Sequence, residues 1–324
     1  MSRELVRLPA LRAAWNRFWF APASPENLAC CRLLFYGGLL YFFGTRDFSA
    51  LAGVDAVFWK PIWLFRLVGL PKPSAEVLKV VQTVWRFSLA ASCVGFLTRL
   101  ATGVSFVFGS FLLGLLYCFG GSGHSKSIVV FAMGSLALSR CGAVLSVDRW
   151  IRARRGEPRP GPSGEYCWPI RLVWVAMTFA FFGAGVSKVR HAGLGWVTTD
   201  RLAVYLVRSN YPLVRDSNAP MNDWGLWLAR HREICRALAA GTLFVELGFP
   251  LALLSRRLRP ILVSSAFLMQ VGITVVMGPD FDVFIWSYLF WVPWDRVKER
   301  VLGRVGDPGL SPEPVVRGSV SSPP

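Results

Sequence analysis

Apolar stretches of bilayer length recur along this chain, and nothing constrains its folding more. About 20 mainly apolar residues are needed to cross a hydrocarbon core as a helix, and an isolated charge is tolerated where it faces other helices. By that criterion spans are predicted at Leu28–Thr45, Val80–Leu97, Leu100–Gly121, Ile128–Val147, Pro169–Ser187, Ala237–Leu254 and Pro260–Gly278. An eighth, Val283–Trp294, is short enough to be partly re-entrant. The expected fold is an all-α, multi-pass integral membrane bundle of about eight helices. Composition agrees, with 53% hydrophobic residues, 14 tryptophans and a mean hydropathy of +0.44.

Three regions follow from this pattern. Residues 1–24 place Leu5, Leu8, Leu11, Trp15, Phe18 and Trp19 at helical spacing between arginines, the signature of a basic amphipathic helix on a membrane surface. Residues 25–294 hold the spans. Residues 295–324 end in a stretch rich in Pro, Ser and Gly, expected to be a disordered tail. The Lys188–Arg236 connection carries "DRLAVYLVRSNYPL" and "NAPMNDWGLWLARHREICRAL", two amphipathic stretches expected to cap the bundle.

The formal charge of +17 does not signal nucleic acid, because the basic residues lie mostly between apolar runs and no nucleic-acid motif is present. The densest short clusters, "DRWIRARRGEPRP" and "SRRLR", fall on one side together with both ends of the chain. The positive-inside rule then makes both termini cytoplasmic, in a plasma or inner membrane, with Lys188 on the outer side. Seven scattered cysteines without CxxC pairs and three histidines give neither a disulfide framework nor metal-ligand spacing, so no metal is expected.

Arg32, Arg86, Arg140 and Glu246 interrupt the apolar runs, with Gln82 and Gln270 as polar companions. One acid cannot neutralise three arginines, so some must bind backbone carbonyls, snorkel or line a wet cavity. The stretch "FFGAGVSKVRHAGLGW" ends a span on Gly183 and Gly185, then presents Lys188 and His191. The glycines would allow a neighbouring helix or a flat ring to come close. A poorly solvated lysine there is suited to serve as a base, although lysines at helix ends are also common snorkelling anchors. His191 and His231 read as interfacial or solvated. Asp148 reads as an N-cap for "RWIRARR" or as a helix-end contact.

In order along roughly Leu28 to Trp294, four segments resemble the horizontally transferred transmembrane (HTTM) domain family. They are "CCRLLFYGGLLYFF", "GHSKSIVVFAMGSLALSRCGAVLSVDRW", "GAGVSKVRHAGLGWVTTDRLAVYL" and "FVELGFPLALLSRRLRP". That family is related to the membrane domain of vitamin K-dependent γ-glutamyl carboxylases. The resemblance implies that Lys188 matches the lysine that deprotonates reduced vitamin K, and that His124 matches the assisting histidine. It also implies a reduced quinone as cofactor, held in an outward-facing cavity by Glu246, Gln270, Arg140, Gly183 and Gly185. A histidine position of the carboxylases falls on Leu268, which leaves Gln270 as the polar residue of that span. The implied partners are the lipid bilayer and a small secreted peptide or protein. A non-catalytic maturation or assembly partner, or a lipid or small-solute transporter, is the competing reading.

Overall fold

The computed structural model describes residues 2–120, 125–211, 223–278 and 282–302. The tail from Gly303 and His124 lie outside the described residues. Those that are described form sixteen α-helices joined by turns and short 3-10 segments, with one isolated bridge between Ala23 and Ser163. In chain order the first eight are α1 (Ser2–Phe20), α2 (Pro25–Phe43), α3 (Trp63–Leu67), α4 (Ala75–Val94), α5 (Thr98–Cys118), α6 (Ser125–Ala137), α7 (Val147–Arg154) and α8 (Trp168–Ala192). They are followed by α9 (Gly195–Thr198), α10 (Arg201–Asn210), α11 (Asp223–Ala229), α12 (Arg232–Gly248), α13 (Leu251–Leu254), α14 (Leu258–Met277), α15 (Asp282–Ile285) and α16 (Trp294–Leu302). Among the described residues four helices, α4, α5, α8 and α14, are long and apolar enough to cross a membrane.

Helix α2 is buried along much of its length. Its start is fixed by Ser24, which accepts from the Glu26 amide, and by Pro25 in the first turn. Leu28, Phe35, Tyr36, Leu39 and Phe43 are buried along it. Arg32 is fully buried on the same helix and finds no carboxylate. It donates instead to the carbonyls of Ser92, Cys93, Cys141 and Leu145 at 2.5 to 3.2 Å. Ser92 and Cys93 lie in the last turn of α4, whose carbonyls have no helical donor, so the guanidinium satisfies groups that lipid could not. Gly95, left-handed at φ 72°, closes that helix; a Cβ there would sit 2.8 Å from Arg32 Nη1.

The same anchor breaks the fourth apolar stretch. The continuous span expected over Ile128–Val147 folds as α6 to Ala137, and turns carry the chain from there to Ser146. Cys141 and Leu145 turn their carbonyls to Arg32, which a straight helix at that place would not permit. Ser146 then caps α7, accepting from the Arg149 amide at 2.9 Å. Asp148 caps α5 instead. It accepts from the Leu97 and Thr98 amides at 2.8 and 2.7 Å and from the Thr98 hydroxyl at 2.7 Å. Leu97 is itself left-handed at φ 44°, leaving α5 without a cap of its own.

Gln82 and Arg86 hold the loop after α2. The Gln82 carbonyl accepts from the Phe48 amide at 2.8 Å, and Arg86 donates to the Arg46 carbonyl at 2.6 Å. Small residues bring α4 and α5 together: the Trp85 indole donates to the Ser105 carbonyl at 3.1 Å beside Gly109. The segment expected as an eighth span is α15 followed by a 3-10 turn, Trp286–Trp291, packed inside the bundle. There Trp291 stacks on Trp174 of α8 at 4.4 Å. Helix α16 carries the chain on to Leu302.

Burial alone would raise the Asp148 carboxyl, but hydrogen bonds from Thr98 and Leu97 outweigh it and hold the group below the usual carboxylate range. Its stabilisation is complete above the unfolded value, about 4, and is lost as pH falls through the lower native value. D148N is therefore expected to cost about 1–2 kcal/mol at neutral pH. It should also flatten the acid limb of thermal midpoint against pH in detergent. A variant with the wild-type acid limb would contradict this role.

Candidate functional site

Helix α8 ends at Gly193, whose φ of 56° turns the chain into α9. Five residues before that end stands Lys188, and one turn further back stands Gly185. A Cβ on Gly185 would lie 2.9 Å from Leu247 Cδ2 and 3.1 Å from Glu246 Cβ, so its hydrogen is what lets α12 approach. Lys188 and Gly185 share a face of α8 at i, i+3 spacing. The close approach therefore brings Glu246 onto the lysine: Nζ is 2.6 Å from Oε1 and 2.8 Å from Oε2. The carboxylate side chain is 6% exposed and the lysine 23%, so one partner is sealed and the other is open on one side.

Trp196 of α9 provides that side, with Nζ 5.2 Å from its ring centroid. Its indole N–H is buried without an acceptor among the described residues. Below the pair the floor is aromatic. Phe181 meets Phe249 at 4.5 Å and Phe284 at 5.8 Å, and Phe249 meets Trp291 at 5.7 Å. Tyr288 continues this layer toward α14 through Phe267, at 5.4 Å. One turn beyond Phe267 on α14 is Gln270, buried, with its side-chain oxygen unpaired. The hydroxyls of Tyr288 and Ser287 are likewise buried without a partner among the described residues. An unsatisfied polar group in an apolar interior costs about 1–3 kcal/mol.

The structure thus brings Lys188, Glu246 and Gly185 together and places Gln270 on a neighbouring helix. Two other residues are not joined to them. Gly183 is exposed with open space where a Cβ would be, so it mediates no close approach. Arg140 pairs with Glu165 at 3.1 Å, just before α8 begins, whereas Lys188 is roughly 30 Å along the axis of that helix. His191 is exposed and turns back on its own helix, with Nδ1 2.8 Å from the Ser187 carbonyl oxygen. His231 does the same against Trp227.

Sequence reasoning placed Glu246 in one cavity with Lys188 but did not pair the two. The signal was there: a single acid deep in an apolar run calls for a cation, and the one at the mouth of the preceding long span is Lys188. Trp196, Ser287 and Tyr288 carried no comparable signal. Comparison with protein-family models, with curated proteins and with solved structures gives no match for this chain.

The glycine contact has a direct consequence. G185L must push α12 away and pull Glu246 from Lys188, with an expected loss of about 1–3 kcal/mol in thermal unfolding in detergent. G183L, at the open position, should leave the midpoint within about 0.5 kcal/mol of wild type. Equal effects at the two positions would contradict the assignment of Gly185 as the contact.

Proposed function

We propose that this is a multi-pass membrane protein of the HTTM, carboxylase-related type whose Lys188–Glu246 pair handles a proton for a quinone-like cofactor. In this reading about eight segments enter the membrane, α1 lies on the cytoplasmic surface and both termini are cytoplasmic. The end of the bundle that carries Lys188 then faces the outer side. A small secreted peptide is the partner class the reading implies.

The observation that carries it is an amine and a carboxylate 2.6 Å apart in an apolar bundle, one sealed and one partly open. Such a pair is poor value as a stabiliser, because desolvating two charges offsets most of their attraction. Its use is chemical: a proton passing from Nζ to the carboxylate leaves a free amine with no change in net charge. Trp196 lies against the amine and limits its contact with water. Residues on the neighbouring elements suit a flat, two-ended ring. The unpaired oxygen of Gln270 and the hydroxyl of Tyr288 offer an acceptor and a donor, and Phe181, Phe249 and Phe284 supply apolar flanks. A reduced quinone would supply an acidic ring hydroxyl and, once deprotonated, an electron-rich ring. Lys188 would take that proton, Glu246 would hold the amine in place, and Gln270 and Tyr288 would fix the ring's orientation.

The test is the quinone content of lipid extracts from protein purified in neutral detergent. Wild type is expected to carry quinone near one per chain. K188Q keeps a donor toward Glu246 but has no basic amine; it should retain at least about tenfold less, reflecting one lost charge-assisted hydrogen bond. Wild type without quinone, or K188Q with as much as wild type, would refute the reading. Co-purification of a stoichiometric peptide with no quinone would point to an assembly role instead.

A further inference from the structure

The end of the bundle opposite Lys188 carries a separate cleft of about 770 Å³, between the α4–α5 turn, α7 and the loop before α8. That volume is in the range of ligand sites. Its wall contains Arg99, Arg140, Arg149, Arg152 and Arg155, five guanidinium groups against two acids, Asp148 and Glu157, with Glu165 outside the wall paired to Arg140. Asp148 is already committed to the Leu97 and Thr98 amides. Collecting like charges costs free energy unless something negative joins them.

Arg140 is paired with Glu165, and the other four arginines divide into two kinds. Arg149 is tied to the Pro158 and Glu157 carbonyls at 3.0 and 3.1 Å, and Arg152 to the Asp148 and Gly142 carbonyls at 3.2 and 2.7 Å. These bonds fix both side chains before any ligand arrives, which lowers the entropic cost of binding. The guanidinium groups of Arg99 and Arg155 are exposed and make no hydrogen bond or ion pair among the described residues, so their donor sets are free. A guanidinium fork suits the paired oxygens of a phosphate better than a lone carboxylate rim would need.

The lip of the cleft is apolar. Leu97 and Leu100 line it and are more than half exposed, and Val107, two turns along α5, continues the same exposed face. A ligand lodged here meets cations at one end and a bare apolar helix face at the other. From this juxtaposition we infer that the cleft binds the phosphate of an anionic phospholipid, with its acyl chains along α5. Basic pockets between membrane helices hold such head groups. The site is independent of the Lys188 pair and stands or falls separately from it.

The test uses the full chain in nanodiscs of phosphatidylcholine, with and without 10 mol% phosphatidylglycerol as an order-of-magnitude dose, and separately in neutral detergent with inorganic phosphate. Phosphatidylglycerol is expected to raise the thermal midpoint of wild type. R99Q/R155Q, which removes groups that hold nothing in the fold, should keep the wild-type midpoint in phosphatidylcholine and require about tenfold more phosphatidylglycerol for the same shift. R256Q/R257Q, an equal loss of charge outside the cleft, should respond as wild type does. An equal shift from millimolar-order inorganic phosphate would keep the anion site but overturn its assignment to lipid. No shift in wild type, or the same loss in both double variants, would overturn the site itself.

Discussion

A charge inside a bundle of apolar helices must be satisfied by the chain itself, because lipid offers nothing in exchange. That constraint shapes this molecule at two places, and the solutions differ. Arg32 is satisfied by four backbone carbonyls that would otherwise lack donors. The cation and the carbonyls solve each other's problem, and the geometry they require ends α4, breaks the chain after α6 and sets the turn that α5 grows from. Lys188 and Glu246 neutralise each other across the approach that Gly185 permits.

The difference matters for what each group can do. Arg32 is fully buried and ligated on all sides, so it has no freedom to act on anything else. The lysine is partly open and its counter-ion is sealed. The two ends are also chemically distinct. One is a cleft lined by arginines, and the other is an amine–carboxylate pair over an aromatic floor. Between them the helices are held by aromatic stacking and by small residues, with few polar links.

The helical class, four of the bilayer-length segments and the glycine that brings α8 to α12 were legible because periodicity and hydropathy are local properties of sequence. Pairings across long separations were not. Glu246 is 58 residues from Lys188, and neither neighbourhood names the other. Arg140 looked like a membrane charge because it followed an apolar run, yet the turn after α6 carries it to an exposed pair with Glu165. That turn depends on Arg32, more than a hundred residues away. Asp148 shows the same limit: its local pattern matched an N-cap for α7, but Ser146 takes that position, which frees the carboxylate for α5.

Under the proposed function, Lys188 and Glu246 are kept together for chemistry and not for stability. Replacing both at once, K188M/E246L, removes the two charges without stranding either, and apolar substitution of a buried pair is often neutral or stabilising. The decisive measurement is the thermal midpoint of this double variant, taken together with its retained quinone. A midpoint at or above wild type with quinone lost is the predicted result. A midpoint that falls by several degrees, or quinone retained at the wild-type level, would contradict it.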